Sequence, residues 1–301
     1  MHPKLIKLEE NFKPSILTKI DEPLCTQFNI ELWMKRDDQL HPVISGNKWR
    51  KLKFILDHAL YTGSDTIISM GGVYSNHLHA LAYTCKAIGL KNIAYIRGDA
   101  PTLLTPTLAD LTAWGTELRY ISRTEYRQLR QYKSYLDLPG LKPQQYWLPE
   151  GGALPLALSG LAELVEEIEI SYDYLCVPCG TGTTLAGLIS ATPDHISLLG
   201  FAALKNASFL NTDVSALLAQ NKSNWQINLD YHFGGFASST PELLSFIKAF
   251  ETKTNIQLEP VYTGKMMYAL YDLISKGHFN AGQRIIALHT GGLQGDRQRR
   301  L

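Results

Sequence analysis

The sequence predicts an α/β protein built on a largely parallel sheet, and three observations carry that prediction. Short apolar runs rich in β-branched residues alternate with stretches at helical spacing along all 301 residues. Most of those runs end in a glycine-rich or polar turn that leads into helix-forming sequence. No internal repeat, low-complexity tract or long polar linker interrupts the alternation.

Taken in order, strands are expected at Glu31–Lys35, Thr66–Met70, Asn92–Arg97, Glu117–Ser122, Tyr174–Pro178, Ser197–Ala202 and Arg284–His289. The run after Asn47 places Trp49, Leu52, Leu56 and Ala59 on one helical face, with Ser45 or Asn47 as its cap. After Met70 the turn Gly71-Gly72-Val73-Tyr74-Ser75-Asn76-His77 opens a helix over Leu78–Leu90. After Pro178 the turn Cys179-Gly180-Thr181-Gly182-Thr183-Thr184 opens a helix over Leu185–Ala191, and a third turn follows His289 as Thr290-Gly291-Gly292. Ligands of open parallel sheets gather at the carboxyl ends of strands, so these three turns are the places to look for one composite site.

Composition narrows the function classes. An apolar fraction of 45% with 19% charged residues is that of a globular chain with a sizeable core. A net charge of +1 gives no reason to expect nucleic acid or a membrane surface as partner. No stretch approaches the roughly 20 apolar residues of a membrane span, and Met1–Glu10 has no apolar leader segment, so a cytoplasmic protein is expected. The four cysteines are too few for a disulfide framework. Cys176-Val177-Pro178-Cys179 is read as two small residues where a strand meets a turn, because no second cysteine pair completes a metal site. No metal is expected.

Three motifs carry chemistry. Gly180, Thr181, Gly182, Thr183 and Thr184 resemble a phosphate cradle, in which glycines admit an anion to the backbone and a helix start offers N–H groups. The cradle lacks the lysine of a P-loop and the third glycine of a dinucleotide fingerprint. Ser45-Gly46-Asn47-Lys48 puts Lys48 in a first helical turn with Arg50 and Lys51 behind it. Such a cluster is ordinarily a solvated basic face, but it is also a setting that makes a lysine amine nucleophilic. Ser75, Asn76 and His77 suit either plain capping or a carboxylate pocket of side chains and main-chain amides.

These motifs, in this order, together with Glu259-Pro260-Val261-Tyr262-Thr263-Gly264-Lys265 and His289-Thr290-Gly291-Gly292, resemble the 1-aminocyclopropane-1-carboxylate deaminase / D-cysteine desulfhydrase family. That family is a branch of the fold-type II, tryptophan synthase β-like pyridoxal-phosphate enzymes, and the resemblance spans nearly the whole chain. It implies a two-domain open parallel-sheet fold with pyridoxal 5'-phosphate in the cleft: a large domain of residues 1–48 plus 151–301 and a small inserted one of 49–150. The Pro/Gly cluster Leu148–Gly152 is the expected crossing. A homodimer and a small amino-acid substrate are implied too.

The resemblance assigns Lys48 the covalent link to the cofactor and the substrate's α-proton. It assigns Asn76 the cofactor's phenolic oxygen, Ser75 and His77 the substrate carboxylate, and Gly180–Thr184 the phosphate. Tyr262 lines the substrate pocket as a possible acid or base. Ring-opening members carry Glu and Leu where this chain has Thr263 and Thr290, one of which is expected at the pyridine nitrogen. A neutral hydroxyl there makes a weaker electron sink than a carboxylate-held proton, which suits β-elimination of a good leaving group. The family's second active-site tyrosine aligns with Phe236, in the substrate-binding set, so a proton donor is absent there. The expected reaction is therefore a D-cysteine desulfhydrase-like elimination giving an α-keto acid and ammonia. Ring opening and β-replacement are the alternatives within the fold, and a non-catalytic anion-binding protein is the alternative outside it.

Overall fold

A computed structural model describes residues 1–299. Its strands are β1 (Leu17–Lys19), β2 (Glu31–Lys35), β3 (Thr66–Gly71), β4 (Lys91–Arg97), β5 (Glu117–Ile121), β6 (Gln145–Leu148), β7 (Tyr174–Cys179), β8 (Ser197–Ala202), β9 (Trp225–Asn228) and β10 (Arg284–Leu288). Its helices are α1 (Pro3–Glu9), α2 (Pro23–Gln27), α3 (Asn47–Tyr61), α4 (Asn76–Ile88), α5 (Pro106–Ala113), α6 (Arg123–Leu129), α7 (Ala157–Glu166), α8 (Thr183–Ala191), α9 (Phe209–Ser215), α10 (Pro241–Thr254) and α11 (Thr263–Ser275). None of these helices is long and apolar enough to cross a membrane.

The chain forms two compact units, one of Met1–Lys13, Leu40–Gly160 and Gln294 onward, the other of Pro14–Gln39 and Leu161–Leu293. The boundaries expected at 48 and 151 differ from these. Residue 48 lies inside α3, and Leu148–Gly152 lies wholly within the first unit. The passage between units falls in the middle of α7, a continuous helix with no linker composition.

The first unit holds a four-stranded parallel sheet in the order β5-β4-β3-β6. All six residues of β3 are buried, as expected of a central strand covered on both faces. The expected apolar stripe of α3 is buried at Trp49, Leu52, Leu56 and Ala59, and packs with Ile67, Leu81 and Leu148. Burying each large member of that stripe stabilises by about 1.5–3 kcal/mol. Gly160 in α7 is required by packing, because a Cβ there would sit 1.9 Å from the Arg50 carbonyl oxygen.

The second unit holds a six-stranded sheet, β1-β2-β10-β7-β8-β9, parallel except where the edge strand β1 runs antiparallel to β2. Two apolar clusters cover its faces. One takes in Cys176 and Phe201 with Met266 and Leu270 of α11; the other takes in Cys179 with Leu185 and Leu188 of α8. Cys176 lies inside β7 and Cys179 ends it, where the strand meets the turn at Gly180. Three residues apart in a strand, they face opposite sides of the sheet and cannot act as a pair. Burial raises both thiols, that of Cys179 to about 12, so neither is a ready nucleophile.

Candidate active site

In the first unit the site residues follow β3 and open α3. Gly46, at φ +66°, caps α3 without any side-chain hydrogen bond, so the expected Ser45 or Asn47 cap gives way to a left-handed glycine. Lys48 is the second helical residue, half-buried, and its Nζ donates to Asn47 Oδ1 at 2.5 Å. One turn on, Lys51 is 3% exposed and its Nζ donates to the Gly151 carbonyl. Burial first, and then the charge of Lys48, hold the Lys51 amine well below its ordinary 10.5. The sequence reading had Lys51 only as part of a basic run, since nothing in the residue pattern announces its burial.

Ser75 caps α4, its Oγ accepting from the Leu78 N–H at 3.2 Å. Gly71 makes room for it, because a Cβ there would meet Ser75 Oγ at 2.6 Å. Asn76, half-buried at the first helical position, accepts at Oδ1 from Gln294 Nε2 at 2.6 Å. His77 turns inward: its Nε2 lies 2.9 Å from Ser69 Oγ, whose own hydrogen goes to the Leu148 carbonyl at 2.7 Å. That arrangement makes Nε2 the donor, a tautomer assigned from the network. Burial, then Lys51 and Lys48, keep the ring well below its ordinary 6.5 and hence neutral. His77 therefore offers an anion its main-chain N–H, while its side chain is engaged with the sheet. His79 is packing, its ring edge-on to Trp114 and bonded to Asp110 at 2.9 Å.

In the second unit β7 runs directly into the cradle. Gly182 caps α8 at φ +75°, where a Cβ would also strike Val214 at 2.6 Å, so glycine is needed twice over. No side chain caps this helix. The hydroxyls of Thr181 and Thr183 lie 3.1 Å apart, and Thr183 and Thr184 are buried. A Cβ on Gly180 would meet the Tyr262 ring and its hydroxyl at 3.1 Å, which brings Tyr262 to the cradle. The Phe236 ring, half exposed, sits edge-on to Tyr262 at 6.0 Å.

Tyr262 and Thr263 are held by Glu259, which is 2% exposed. Its carboxylate accepts from the N–H groups of Val261, Tyr262 and Thr263 at 2.7, 2.9 and 2.6 Å and so stands in for a cap on α11. Burial nevertheless raises this carboxyl above its ordinary 4.5, against the pull of those amides. The Thr263 hydroxyl donates to Glu259 Oε1 at 3.1 Å and accepts from the Glu259 N–H at 3.1 Å. Its hydrogen is thus already placed, and Thr263 faces its own loop. Thr290, buried, follows β10 beyond His289. The His289 ring donates from Nε2 to the Gln257 carbonyl at 2.7 Å and accepts at Nδ1 from Gly291 at 3.2 Å, bracing that turn.

Lys265 was legible only as a letter of the motif. It is buried, and its Nζ donates to the carbonyls of Gly235, His232 and Ala203 at 2.8, 2.9 and 3.4 Å. Burial lowers it to about 8, with Glu259 opposing. It thereby ties the loop carrying Phe236 to the helix that begins after Tyr262.

In the second unit the cradle that opens α8 is of the kind that holds a phosphate group, and in the first the half-buried Lys48 amine is of the kind that condenses with an aldehyde. Sequence comparison agrees: the chain belongs to the family described as pyridoxal-phosphate dependent enzyme, whose model matches residues 22–291. Among curated relatives, a Pyrococcus horikoshii protein provisionally named 1-aminocyclopropane-1-carboxylate deaminase is 32% identical over 98% of this chain and 96% of its own. An Arabidopsis thaliana bifunctional D-cysteine desulfhydrase/1-aminocyclopropane-1-carboxylate deaminase is 32% identical over 88% of this chain and 73% of its own. The crystal structure of an ACC deaminase homologue superposes with a TM-score of 0.79 at 29% identity, covering 98% of this chain and 97% of that one.

Proposed function

We propose that the protein eliminates the β-substituent of a small amino acid, D-cysteine or a close analogue, as thiolate, and that water hydrolyses the resulting enamine to an α-keto acid and ammonia. The cofactor, when bound, supplies an electron sink for the carbanion formed at Cα. Lys48 is the residue that would carry it and take the α-proton, with the buried Lys51 amine one helical turn away. Ser75 and the main-chain amides of Asn76 and His77 hold the substrate carboxylate, and Asn76 donates to the cofactor's phenolic oxygen. Gly180, Thr181, Gly182, Thr183 and Thr184 hold the phosphate. Tyr262, aligned by Glu259, would supply a hydroxyl for proton transfer, and Phe236 an apolar contact for the substrate. Assembly as a homodimer is part of the proposal on the family resemblance alone.

One observation carries elimination over ring opening. Thr263 has its hydroxyl hydrogen on Glu259, which leaves the neutral Thr290 as the residue for the pyridine nitrogen, with no carboxylate in either position. A neutral partner suits departure of a good leaving group. The test is keto-acid release from D-cysteine, L-cysteine and 1-aminocyclopropane-1-carboxylate. D-cysteine is expected to give the fastest release, and faster turnover of the cyclopropane substrate would overturn the preference. Thr290→Glu should move the bound cofactor's spectrum toward the protonated-pyridine form, whereas Thr263→Glu should leave it in place and destabilise the loop by setting two carboxylates together.

A further inference from the structure

Gln294 is the point at which the C-terminal segment meets the start of α4. Its Nε2 donates to Asn76 Oδ1 at 2.6 Å. Two residues of the same segment fix it there. Arg297 donates from Nε to the Gln294 carbonyl at 3.0 Å and from Nη2 to Asp110 Oδ2 at 2.5 Å. The same Asp110 oxygen lies 2.9 Å from His79 Nε2, one helical turn beyond Asn76 on α4. Gly295 lets the segment approach, since a Cβ there would sit 3.2 Å from Asn76 Oδ1. The segment is therefore bonded to α4 directly at Asn76 and, through Asp110 of α5, linked to His79.

A carboxamide has one accepting end and one donating end, and which end faces a ligand depends on what holds the other. With Oδ1 taken by Gln294, Asn76 presents its NH₂. We infer that Gln294 is a positioning residue for the cofactor: it sets the Asn76 amide so that Nδ2 donates to the phenolic oxygen and favours that oxygen as an anion. This rests on the proposed role of Asn76. A donor at that oxygen draws charge away from the adjoining Lys48 nitrogen and lowers the pH at which the cofactor's visible band titrates. Gln294→Glu replaces the donor with an acceptor, so the Asn76 amide turns round and its carbonyl opposes the phenolic oxygen.

The test uses the full-length, cofactor-loaded protein and reads the pH midpoint of the visible band together with the pyridoxal-phosphate dissociation constant. Gln294→Glu should raise the midpoint by about one pH unit and weaken binding roughly tenfold, the worth of one hydrogen bond to a charged group. In an Asn76→Ala background the same substitution should do clearly less, retaining only the through-space effect of the new charge. Equal shifts in both backgrounds, or none in either, would overturn the inference. Gln294→Leu, uncharged and close in volume, should weaken binding severalfold in the native background and not in Asn76→Ala; equal effects there also overturn it. If the native protein shows no visible band dependent on Lys48, the cofactor role of Asn76 falls first, and this assignment with it.

Discussion

Two buried lysines, one in each unit, are held differently by what surrounds their amines. Lys51 and Lys265 are 3% and 2% exposed. Lys265 satisfies three carbonyls and has Glu259 near enough to favour its charge, and it is lowered to about 8. Lys51 donates to the Gly151 carbonyl and has a second lysine, Lys48, beside it, and it lies well below 10.5. Similar side-chain exposure therefore goes with unequal desolvation of the two amines, which is the first cause of both shifts. In the second unit the amine holds a loop; in the first it lies one helical turn from Lys48, the lysine proposed to carry the cofactor.

The largest expected effect breaks the reactive side. Lys48→Ala should remove the yellow colour and lower keto-acid release by at least about 1,000-fold, through loss of both the covalent link and the base. Lys265→Met probes the structural side: it leaves three carbonyls without their donor and should cost about 3 kcal/mol in urea unfolding of the apoprotein. It should also raise KM as the Phe236 loop loosens. Lys51→Met removes a desolvated cation along with a single hydrogen bond, so its stability change should stay within about 1 kcal/mol while cofactor affinity falls. A stability loss at Lys51 equal to that at Lys265 would erase the contrast.

A smaller effect sharpens it. His77 is held neutral below 6.5 by burial and by Lys51 and Lys48. Below that pH the unfolded chain takes up a proton that the folded chain refuses, so this contribution to stability is complete above 6.5 and declines as the pH falls. His77→Gln keeps a donor for Ser69 and cannot titrate. It should flatten the acid side of the stability–pH curve by up to about 1.4 kcal/mol per pH unit, measured by denaturant unfolding between pH 7 and 5.

What was legible in the sequence was local. Seven strands and the helices after Asn47, Met70 and Pro178 announce themselves by β-branched runs, helical spacing and glycine turns, and all are present within a residue or two. The missed strands β1, β6 and β9 are three or four residues long, too short to show a period, and all three are sheet edges. The unit boundary was missed because a continuous helix carries no compositional mark of a passage, whereas the Gly151-Gly152 turn looks like one. Near the candidate site, the Gly182 turn and the Ser75 cap were legible because their geometry is set by neighbours in sequence, whereas the Gly46 cap of α3 was not. The commitments of Thr263, Lys265 and Gln294 were not. The carbonyls of Lys265 come from 30 to 62 residues away, and Gln294 reaches across 218. Even Thr263, only four residues from Glu259, needed the burial of that carboxylate to show which way its hydroxyl points.

Borohydride reduction of the cofactor-loaded protein, followed by peptide mapping by mass, tests the central claim most directly. The pyridoxyl adduct is expected on Lys48 alone, with the Lys51 and Lys265 side chains unmodified. An adduct on either of those lysines, or none on Lys48, would contradict the account.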